Sequence, residues 1–410
     1  MIKNKIKKAR KKIKNIVKKI RRILVKILKA IAPIYSRVIR PDEKTILFIS
    51  FHGRGYSDNP RALHEYMLES ESFQEYKFIW AINGYKKKKI VIPRTKVIGY
   101  GGPKYLYYLA KSKYWVCNCK LPGYVVKNKN QVYLQTWHGT PLKRLGFDIL
   151  AGEDTTFYRS EMSFEEMTKT YAQDVAKYNY MIAPNRFCTE VFQSAFQIEK
   201  ARLIETGYPR NDCLSNWLPE DVDKLKAQYG IPLGKKVILY APTWRDNSYT
   251  KKGYTFELEV DFAKWKEVLG DEYVVIFKPH YLIINKFKMK DYEGFVYGID
   301  ANADISNLYI ISDILVTDYS SVFFDYAILK RPIYFYMYDL EFYQEELRGF
   351  YIDINEDLPG NIFEEENQML ESIKEEHYDY EFLATFNERF NNCEDGKASK
   401  RVVDLVFGEM

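Results

Sequence analysis

The chain has 410 residues, of which 46% are apolar, so it is long enough for two folded domains and too hydrophobic for a disordered protein. It carries 62 basic and 55 acidic residues, a net charge of +7, and five cysteines at scattered positions. An odd, scattered set of cysteines argues against a disulfide framework and for a reducing compartment. Neither the cysteines nor the five histidines have the spacing of a metal site.

Positive charge is concentrated at the N-terminus. Residues 1–40 hold 16 Lys and Arg and no acidic residue, whereas the remainder holds 46 basic and 55 acidic residues. Apolar residues recur in this arm every three or four positions, which predicts one face of a helix. The predicted apolar face consists of Ile2, Ile6, Ala9, Ile13, Ile16, Ile20, Leu24, Ile27 and Ile31. Pro33 and Pro41 are predicted to bound the arm and mark a short linker into the body.

A basic amphipathic helix of this kind is typical of segments that lie in the interface of anionic membranes. Each basic side chain near such a surface contributes about 1 kcal/mol to binding. The arm contains no run of 18 apolar residues and no signal-peptide cleavage site, so we expect a peripheral segment and not a membrane span. The alternatives are a nucleic-acid-binding arm, which leaves the apolar face unexplained, and a helix that packs on the body.

The body begins with β-rich runs that alternate with helical stretches, the pattern of parallel βαβ units. The predicted strands are Thr45–Phe51, Tyr76–Ile82, Lys96–Tyr100, Lys113–Cys117, Gln131–Gln135, Tyr178–Ala183 and Arg202–Glu205. Helices are predicted from Pro60 to about Glu69, with Asn59 as the cap, and from about 187 to 195. Cys117 and Cys119 are interpreted as strand residues. The segment 207–212 is interpreted as a domain boundary.

A second alternation follows this boundary. Its predicted strands are Lys236–Tyr240, Tyr273–Phe277, Phe295–Tyr297, Ile314–Val316 and Ile333–Tyr336, with a helical run over Ser321–Leu329 and an acidic helical part over Ile362–Phe407. The pattern predicts an α/β protein with two Rossmann-like domains that face each other across a cleft, the GT-B architecture. The predicted domains are residues 1–40, 41–207 and 208–410.

The most informative motif is Trp137-His138-Gly139-Thr140-Pro141-Leu142-Lys143, which follows a predicted strand. A histidine in this position lies where open α/β sheets bind ligands, and its ordinary pKa is near physiological pH. Gly139 lets a backbone N–H approach an anion, while Lys143 and Arg144 supply positive charge. Transfer of a phosphorylated group needs this combination. The alternative is a core histidine that caps a turn.

Three loops after strands of the second half carry groups that suit a diphosphate. These groups are Thr243, Arg245, Lys278, His280, Asp318, Ser320 and Ser321. Hydroxyls at the start of a helix present N–H groups and a positive dipole end to phosphate, although simple N-capping is the alternative for the two serines. A P-loop is absent, the Gly53-Arg54-Gly55 run lacks the third glycine of a dinucleotide site, and no D-x-D pair indicates a metal-dependent transferase.

Five segments together resemble the CDP-glycerol glycerophosphotransferase family, the teichoic acid primases and polymerases. They are Tyr56-Ser57-Asp58-Asn59-Pro60-Arg61, the His138 motif, Ala241-Pro242-Thr243-Trp244-Arg245, Val316-Thr317-Asp318-Tyr319-Ser320-Ser321 and Arg348-Gly349-Phe350-Tyr351. The resemblance runs from about Thr45 to the C-terminus. It implies transfer of glycerol phosphate from CDP-glycerol to a hydroxyl of a membrane-linked teichoic acid precursor, with release of CMP.

The resemblance also implies roles for individual residues. His138 is expected to be the general base, supported by Gln135, Trp137, Gly139 and Thr140. His280 is expected to hold or protonate the leaving diphosphate and to bind the donor together with Thr243, Arg245, Lys278, Asp318, Ser320 and Ser321. Lys143 and Arg144 are expected to bind a polyanionic acceptor. The sequence indicates no cofactor, metal site or nucleic-acid partner, although a divalent cation is compatible with it, and the expected location is the cytoplasmic face of the cell membrane.

Other functions fit parts of the sequence. A CDP-ribitol transferase shares every motif, and primases and polymerases fit equally. A GT-B glycosyltransferase or nucleotide-sugar epimerase shares the predicted fold but differs in the donor. A membrane-bound scaffold or nucleic-acid-binding protein uses the arm alone and leaves the cleft motifs unexplained.

Overall fold

The structure, a computed structural model, describes residues 23, 26–28, 30–150, 156–157, 162–243, 249–250, 253–254, 259–278, 289–300, 303–340 and 349–408. Its strands, in chain order, are β1 (Asp42–Ile49), β2 (Lys77–Ala81), β3 (Thr95–Ile98), β4 (Ser112–Cys117), β5 (Val132–Gln135), β6 (Thr156–Phe157), β7 (Met162–Ser163), β8 (Tyr180–Ala183), β9 (Leu203–Glu205), β10 (Lys236–Ala241), β11 (Tyr249–Thr250), β12 (Gly253–Tyr254), β13 (Tyr273–Phe277), β14 (Val296–Gly298), β15 (Ile314–Thr317), β16 (Ile333–Tyr336) and β17 (Ile362–Phe363).

Two parallel sheets organise the chain, which confirms the predicted α/β class. The first sheet has the order β3-β2-β1-β4-β5-β8-β9 and the second β14-β13-β10-β15-β16-β17. Strands β6 with β7 and β11 with β12 form two short antiparallel pairs. The central strands are continuous apolar runs because helices cover both faces of each sheet. Every residue of β13, for example, is buried.

Helices connect the strands of both sheets. The described α-helices with printed bounds are Asp58–Glu69, Tyr85–Lys88, Pro103–Lys111, Phe164–Val175, Arg186–Phe196, Asp212–Asn216, Pro219–Tyr229, Phe262–Leu269, Ile305–Ile311, Val322–Tyr326, Glu366–Lys374, Tyr380–Phe390 and Ala398–Phe407. Their amphipathic faces separate four clusters of buried residues, two on the faces of the first sheet and two on the faces of the second. The two halves of the chain therefore have cores of their own.

The predicted strands agree with the observed ones to within three residues at each end, and four details differ. Cys119 lies beyond β4, which ends at Cys117. Asn59 is not a helix cap, because the helix begins at Asp58 and the Asn59 amide donates to the backbone carbonyls of Thr136 and Trp137. The predicted helical run from Ser321 begins at 322 and ends in a 3₁₀ turn. The predicted C-terminal helical part opens instead with edge strand β17.

The N-terminal arm is only partly covered, because residues 1–22 lie outside the described residues. Residues 30–38 are helical and include Pro33, so this proline does not bound the helix as predicted. Ala32 is buried and Asn128 donates a hydrogen bond to the Ser36 carbonyl, whereas Ile34 and Val38 are exposed. Within the described residues, no helix has both the length and the apolar character needed to cross a membrane.

The last helix, Ala398–Phe407, returns to the first sheet. Its Val402, Val406 and Phe407 join the buried cluster on one face of that sheet. The Phe407 ring lies 4.5 Å from the Tyr114 ring and 5.7 Å from the Phe73 ring, measured between centroids. The end of the chain therefore ties the second half to the first.

Candidate active site

Each sheet has one point at which the order of added strands reverses. In the first sheet β2 and β3 extend to one side of β1, while β4 and β5 extend to the other. In the second sheet β13 and β14 lie on one side of β10, and β15 and β16 lie on the other. Open α/β sheets bind ligands in the crevice outside the carboxyl ends of the strands at such a point. The topology therefore gives two crevices, the first at β1 and β4 and the second at β10 and β15.

His138 lies three residues after β5, beside the first crevice. Its Nδ1 is 2.7 Å from the backbone oxygen of Asn118, and a carbonyl oxygen only accepts hydrogen bonds. Nδ1 therefore carries the ring proton, and Nε2 of the neutral ring keeps its lone pair. The ring lies over Trp137, with centroids 4.3 Å apart, and edge-on to Phe51 at 5.6 Å.

The protonation state of His138 suits a base. His138 is exposed to solvent, yet its ring also contacts the rings of Trp137 and Phe51. Desolvation in these surroundings lowers the pKa of His138 below 6.5, and the charge of Arg210 lowers it further, against the opposing effects of Asp58 and the Asn118 hydrogen bond. The neutral ring therefore predominates at pH 7.

Buried side chains support the His138 loop. Gln135 is buried, and its Oε1 accepts from the backbone N–H of Trp137 at 3.0 Å. Trp137 has a left-handed φ of 51°, a conformation that needs such support. Thr140 is also buried. A Cβ at Gly139 would lie 3.7 Å from Ser321 Oγ, an ordinary contact, so an alanine fits there and the loop lies directly beside the second crevice.

Arg210 joins the His138 loop to both halves of the chain. Its Nη1 donates to Asp58 Oδ1 at 2.9 Å and to the His138 carbonyl at 2.7 Å, and its Nη2 donates to Asp325 Oδ2 at 2.7 Å. The side chains of Arg210, Asp58 and Asp325 are only 14%, 5% and 9% exposed. Asp58 also accepts from Asn118 Nδ2 at 2.6 Å, which completes a chain of contacts back to His138.

This network is not predicted from the sequence. Segment 207–212 was interpreted only as a boundary, although Arg210 and Asn211 stand between the buried Tyr208 and Leu214. The run Pro209-Arg210-Asn211-Asp212 has the local pattern of an exposed turn, so nothing in the sequence marks Arg210 as buried or names Asp58 and Asp325 as its partners.

The second crevice contains the predicted donor-binding residues that the structure describes. Thr243 follows β10, and both its backbone N–H and its hydroxyl donate to Asp318 Oδ1, the backbone bond at 2.8 Å. Ser320 and Ser321 are half-buried, and Ser321 makes no side-chain bond to the helix that it precedes, so helix capping does not account for it. Lys278 Nζ donates to the Asp300 carbonyl at 2.9 Å, and burial lowers the pKa of Lys278.

Four other predicted site residues lie elsewhere or outside the described part. Arg245 and His280 fall outside the described residues. Lys143 forms an antiparallel β-bridge with Phe350, and the Arg144 N–H donates to the Gly349 carbonyl at 3.1 Å. The predicted acceptor residues Lys143 and Arg144 therefore lie on a segment that pairs with the second half. Among the described side chains, no group of three His, Cys, Asp or Glu is arranged to hold a metal ion.

Comparison with known proteins connects this geometry to a family. The profile of CDP-Glycerol:Poly(glycerophosphate) glycerophosphotransferase matches residues 34–408. The chain belongs to this family. A teichoic acid poly(glycerol phosphate) polymerase of Bacillus spizizenii is 41% identical over 387 residues, which cover 92% of this chain and 96% of that protein. A Bacillus subtilis polymerase of the same description is 41% identical over 89% of this chain and 48% of its own length, so this chain spans about half of it.

Solved structures agree with the family. The Wall Teichoic Acid Polymerase TagF, as a histidine-to-asparagine variant soaked with CDPG, superimposes with a TM-score of 0.85. It is 36% identical, and the match covers 97% of each chain. The fold is therefore that of this polymerase structure over nearly the whole chain.

The Arg210 network generates a stability prediction. Replacing Arg210 with alanine leaves Asp58 and Asp325 buried without their cation, so we expect the free energy of unfolding to fall by about 3–5 kcal/mol. Urea denaturation measures the change. Arg186→Ala is the matched control, because Arg186 is 83% exposed and pairs with one exposed carboxylate, and its loss should change stability by about 0–1 kcal/mol. An Arg210→Ala protein as stable as the control would contradict this assignment.

Proposed function

We propose that the protein transfers glycerol phosphate from CDP-glycerol to a hydroxyl of a membrane-linked teichoic acid precursor and releases CMP. This proposal rests on the tautomer and the position of His138. Its Nδ1 donates to the Asn118 carbonyl, its Nε2 is a proton acceptor, and its loop approaches the second crevice, since a Cβ at Gly139 would lie 3.7 Å from Ser321 Oγ. A neutral histidine between two ligand crevices suits deprotonation of an acceptor hydroxyl next to a bound donor.

The reaction follows from this placement. The acceptor hydroxyl gives its proton to His138 Nε2 while its oxygen forms a bond to the β-phosphorus of the donor. The bond between that phosphorus and the bridging oxygen breaks, and CMP leaves with the bridging oxygen. Phosphoryl-type transfer depends on positioning and charge neutralisation more than on covalent catalysis. The protein therefore contributes a base, an aligned donor and positive charge, and the reaction as written uses no cofactor.

The donor-binding part of the proposal assigns the diphosphate to the second crevice. Ser320 and Ser321 offer hydroxyl donors there, and Asp318 holds the proposed donor-site residue Thr243 in place by accepting from both its N–H and its hydroxyl. Lys278, Arg245 and His280 follow the strands of the same sheet in sequence and would neutralise the diphosphate, with His280 on the leaving-group side. Lys143 and Arg144 remain proposed acceptor contacts.

We also propose the GT-B arrangement, with residues 41–207 as the acceptor domain and 208–410 as the donor domain. The two separate sheets and the approach of Gly139 to Ser321 support this division. The final helix, although it belongs to the second range, packs on the first sheet. Residues 1–40 are proposed as a membrane-association helix on the cytoplasmic face of the cell membrane.

The membrane proposal rests on exposed apolar side chains in a basic segment. Ile23, Ile27, Ile34 and Val38 are 46–74% exposed, and steps of four and seven residues place them on one side of a helix. An apolar strip beside many Lys and Arg binds the surface of anionic bilayers. A lipid-linked acceptor would bring the enzyme and its substrate to the same surface.

The donor separates this function from its alternatives. Purified protein, a lipid-linked acceptor and CDP-glycerol should release CMP, with CDP-ribitol assayed in parallel. A CDP-ribitol transferase would prefer the second donor, and a glycosyltransferase or epimerase would use a nucleotide sugar and release no CMP. Absence of CMP release with either CDP-polyol would exclude the proposed function.

His138→Ala should reduce kcat by about 10²–10⁴-fold, because it removes the general base. His377→Ala is the matched control, since His377 is exposed on a turn after the helix Glu366–Lys374. His64 is unsuitable as a control, because it is buried and its ring bonds to Tyr56 and Thr95. CMP release by both variants measures the effect. Near-normal turnover by His138→Ala would refute the mechanism.

The pH dependence gives a second prediction for His138. Its pKa lies below 6.5, and only the neutral ring accepts a proton, so kcat/KM should fall as the pH decreases through a value below 6.5. Steady-state CMP release between pH 4.5 and 8 measures this limb, where these bounds are roughly the range that spans the ordinary histidine pKa. An acidic limb centred above pH 7 would assign the base to another group.

Replacing Ser320 and Ser321 together with alanine should raise the Kd for CDP-glycerol by about tenfold, because hydrogen bonds to a charged phosphate contribute about 1.5–3 kcal/mol. Isothermal titration calorimetry measures the change. Ser372→Ala is the control, since Ser372 lies on the helix Glu366–Lys374, which packs beside β17. Unchanged donor affinity in the double variant would remove both serines from the donor site.

Replacing Ile23, Ile27, Ile34 and Val38 with glutamine should reduce binding to vesicles that contain phosphatidylglycerol by at least about tenfold. Each fully buried aliphatic side chain contributes about 1.5–3 kcal/mol, so partial burial of four is sufficient. Vesicle co-sedimentation measures binding. Leu233→Gln and Leu405→Gln are controls, because these leucines are also exposed but lie on the body. Equal sedimentation of all variants would contradict the membrane proposal.

A further inference from the structure

The crevice of the first sheet has no ligand in the mechanism above. It lies outside the carboxyl ends of β1 and β4, where the strand order reverses. The equivalent point of the second sheet carries the proposed donor residues. Because ligand binding at this point is a general property of open α/β sheets, the first crevice is the natural place for the second substrate.

Basic side chains gather at this crevice. His52 and Arg54 follow β1, and Lys120 follows β4. Burial lowers the pKa of His52, and Arg54, Lys120 and His138 lower it further against the opposing charge of Asp174, so these groups all lie within electrostatic range of His52. Lys120 behaves in the same way, since burial lowers its pKa to about 8. The nearby carboxylate of Asp174, which raises the pKa of both His52 and Lys120, is buried and paired with Lys177 at 2.9 Å, so the cluster keeps positive charge that favours an anion.

The residues that carry these charges are held by the protein. The Phe51 N–H donates to Asn118 Oδ1 at 2.8 Å, and the His52 N–H donates to Cys119 Sγ at 3.1 Å. These bonds tie the turn after β1 to the segment after β4. Lys120 Nζ donates to Thr170 at 3.0 Å and lies 3.3 Å from the centre of the Tyr171 ring. Backbone bonds therefore position the turn that carries the exposed His52 and Arg54, and side-chain contacts position Lys120 beside it.

The backbone of this turn is unusual. Phe51, His52 and Gly53 all have left-handed φ values, 42°, 56° and 79°. Two of the three are not glycine, and such conformations persist only where the surroundings impose them. The Asn83 side chain fixes the turn by donating to the His52 carbonyl at 2.7 Å. The strain is consistent with a functional placement of the His52 and Phe51 rings.

His138 lies between the two crevices. Its ring contacts Phe51 on the side of the basic cluster, while the adjacent Gly139 approaches Ser321 on the side of the donor. An acceptor hydroxyl at His138 Nε2 therefore has the donor on one side and His52, Arg54 and Lys120 on the other. A group attached to that hydroxyl through a short linker extends toward the basic cluster.

We propose that His52, Arg54 and Lys120 form a subsite for a phosphate of the acceptor, the phosphodiester or phosphomonoester next to the attacking hydroxyl. The inference rests on the proposed glycerophosphotransferase function and adds the acceptor group that the enzyme recognises. It also assigns the acceptor phosphate to residues other than Lys143 and Arg144, which lie on the segment paired with Gly349 and Phe350.

The test compares two acceptors, a lipid-linked saccharide that ends in glycerol phosphate and the same saccharide without phosphate. Arg54→Gln, and separately Lys120→Met, should raise KM for the phosphorylated acceptor about tenfold or more, the loss of one charge-assisted hydrogen bond. KM for the unphosphorylated acceptor and Kd for CDP-glycerol should not change. Lys200→Met is the control, because Lys200 is exposed and precedes β9 at the opposite end of the first sheet.

The possible results distinguish a failure of the proposed subsite from a failure of the proposed function. If the wild-type protein releases no CMP from CDP-glycerol with either acceptor, the proposed function fails. If the wild type is active and Arg54→Gln and Lys120→Met keep the KM of the Lys200→Met control for the phosphorylated acceptor, the subsite alone is wrong. An equal loss with both acceptors, or a weaker Kd for CDP-glycerol, also overturns it. Arg54 is exposed, so its variant tests the proposal even if Lys120→Met disturbs the packing on Tyr171.

Discussion

The geometry of the cleft depends on the buried guanidinium of Arg210. A cation that is 14% exposed needs compensation, and it receives one carboxylate from each half of the chain, Asp58 and Asp325. The guanidinium can bond to both carboxylates only when the two halves keep this relative position, so the two ion pairs favour one arrangement of the halves. The same guanidinium bonds to the His138 carbonyl. The contacts of Arg210 therefore fix both the position of His138, the proposed base, and the relative position of the two halves.

The reactive nitrogen of His138 is selected by the first half alone. Asp58 holds the Asn118 side chain, and the Asn118 carbonyl selects the Nδ1–H tautomer. The hydroxyls proposed to bind the donor belong to the second half. Misplacing reacting groups by about 1 Å costs on the order of a hundredfold in rate, so a base and a donor site on different sheets require a rigid junction. Arg210 and the helix Ala398–Phe407, which packs on the first sheet, both contribute to this junction.

The sequence predicts strands and motifs whose pattern lies within a few neighbouring residues. It does not predict contacts between residues that are far apart in the chain. Strands such as Tyr273–Phe277 were predicted correctly because a strand buried on both faces is a continuous apolar run. His138 was found because it follows such a run. Asp325 and Arg210 are 115 residues apart, and nothing in either local pattern names the other. Asn59 has the local pattern of a helix cap, but tertiary contacts direct its amide to the His138 loop instead. The packing of Phe407 on the first sheet is equally non-local.

Two anionic substrates impose a common electrostatic constraint on this cleft. A carboxylate facing a phosphate would oppose binding, yet several aspartates lie at the strand ends or at the junction of the halves. Each is bonded internally: Asp58 and Asp325 to Arg210, Asp318 to Thr243, and Asp304 to Arg61 across the halves at 2.7 Å. The acids therefore build the junction while their charge is offset by protein donors. Basic side chains lie beside both crevices, Lys278 at the second and His52, Arg54 and Lys120 at the first. The proposed donor and acceptor phosphates would therefore each have cations on their own side of His138.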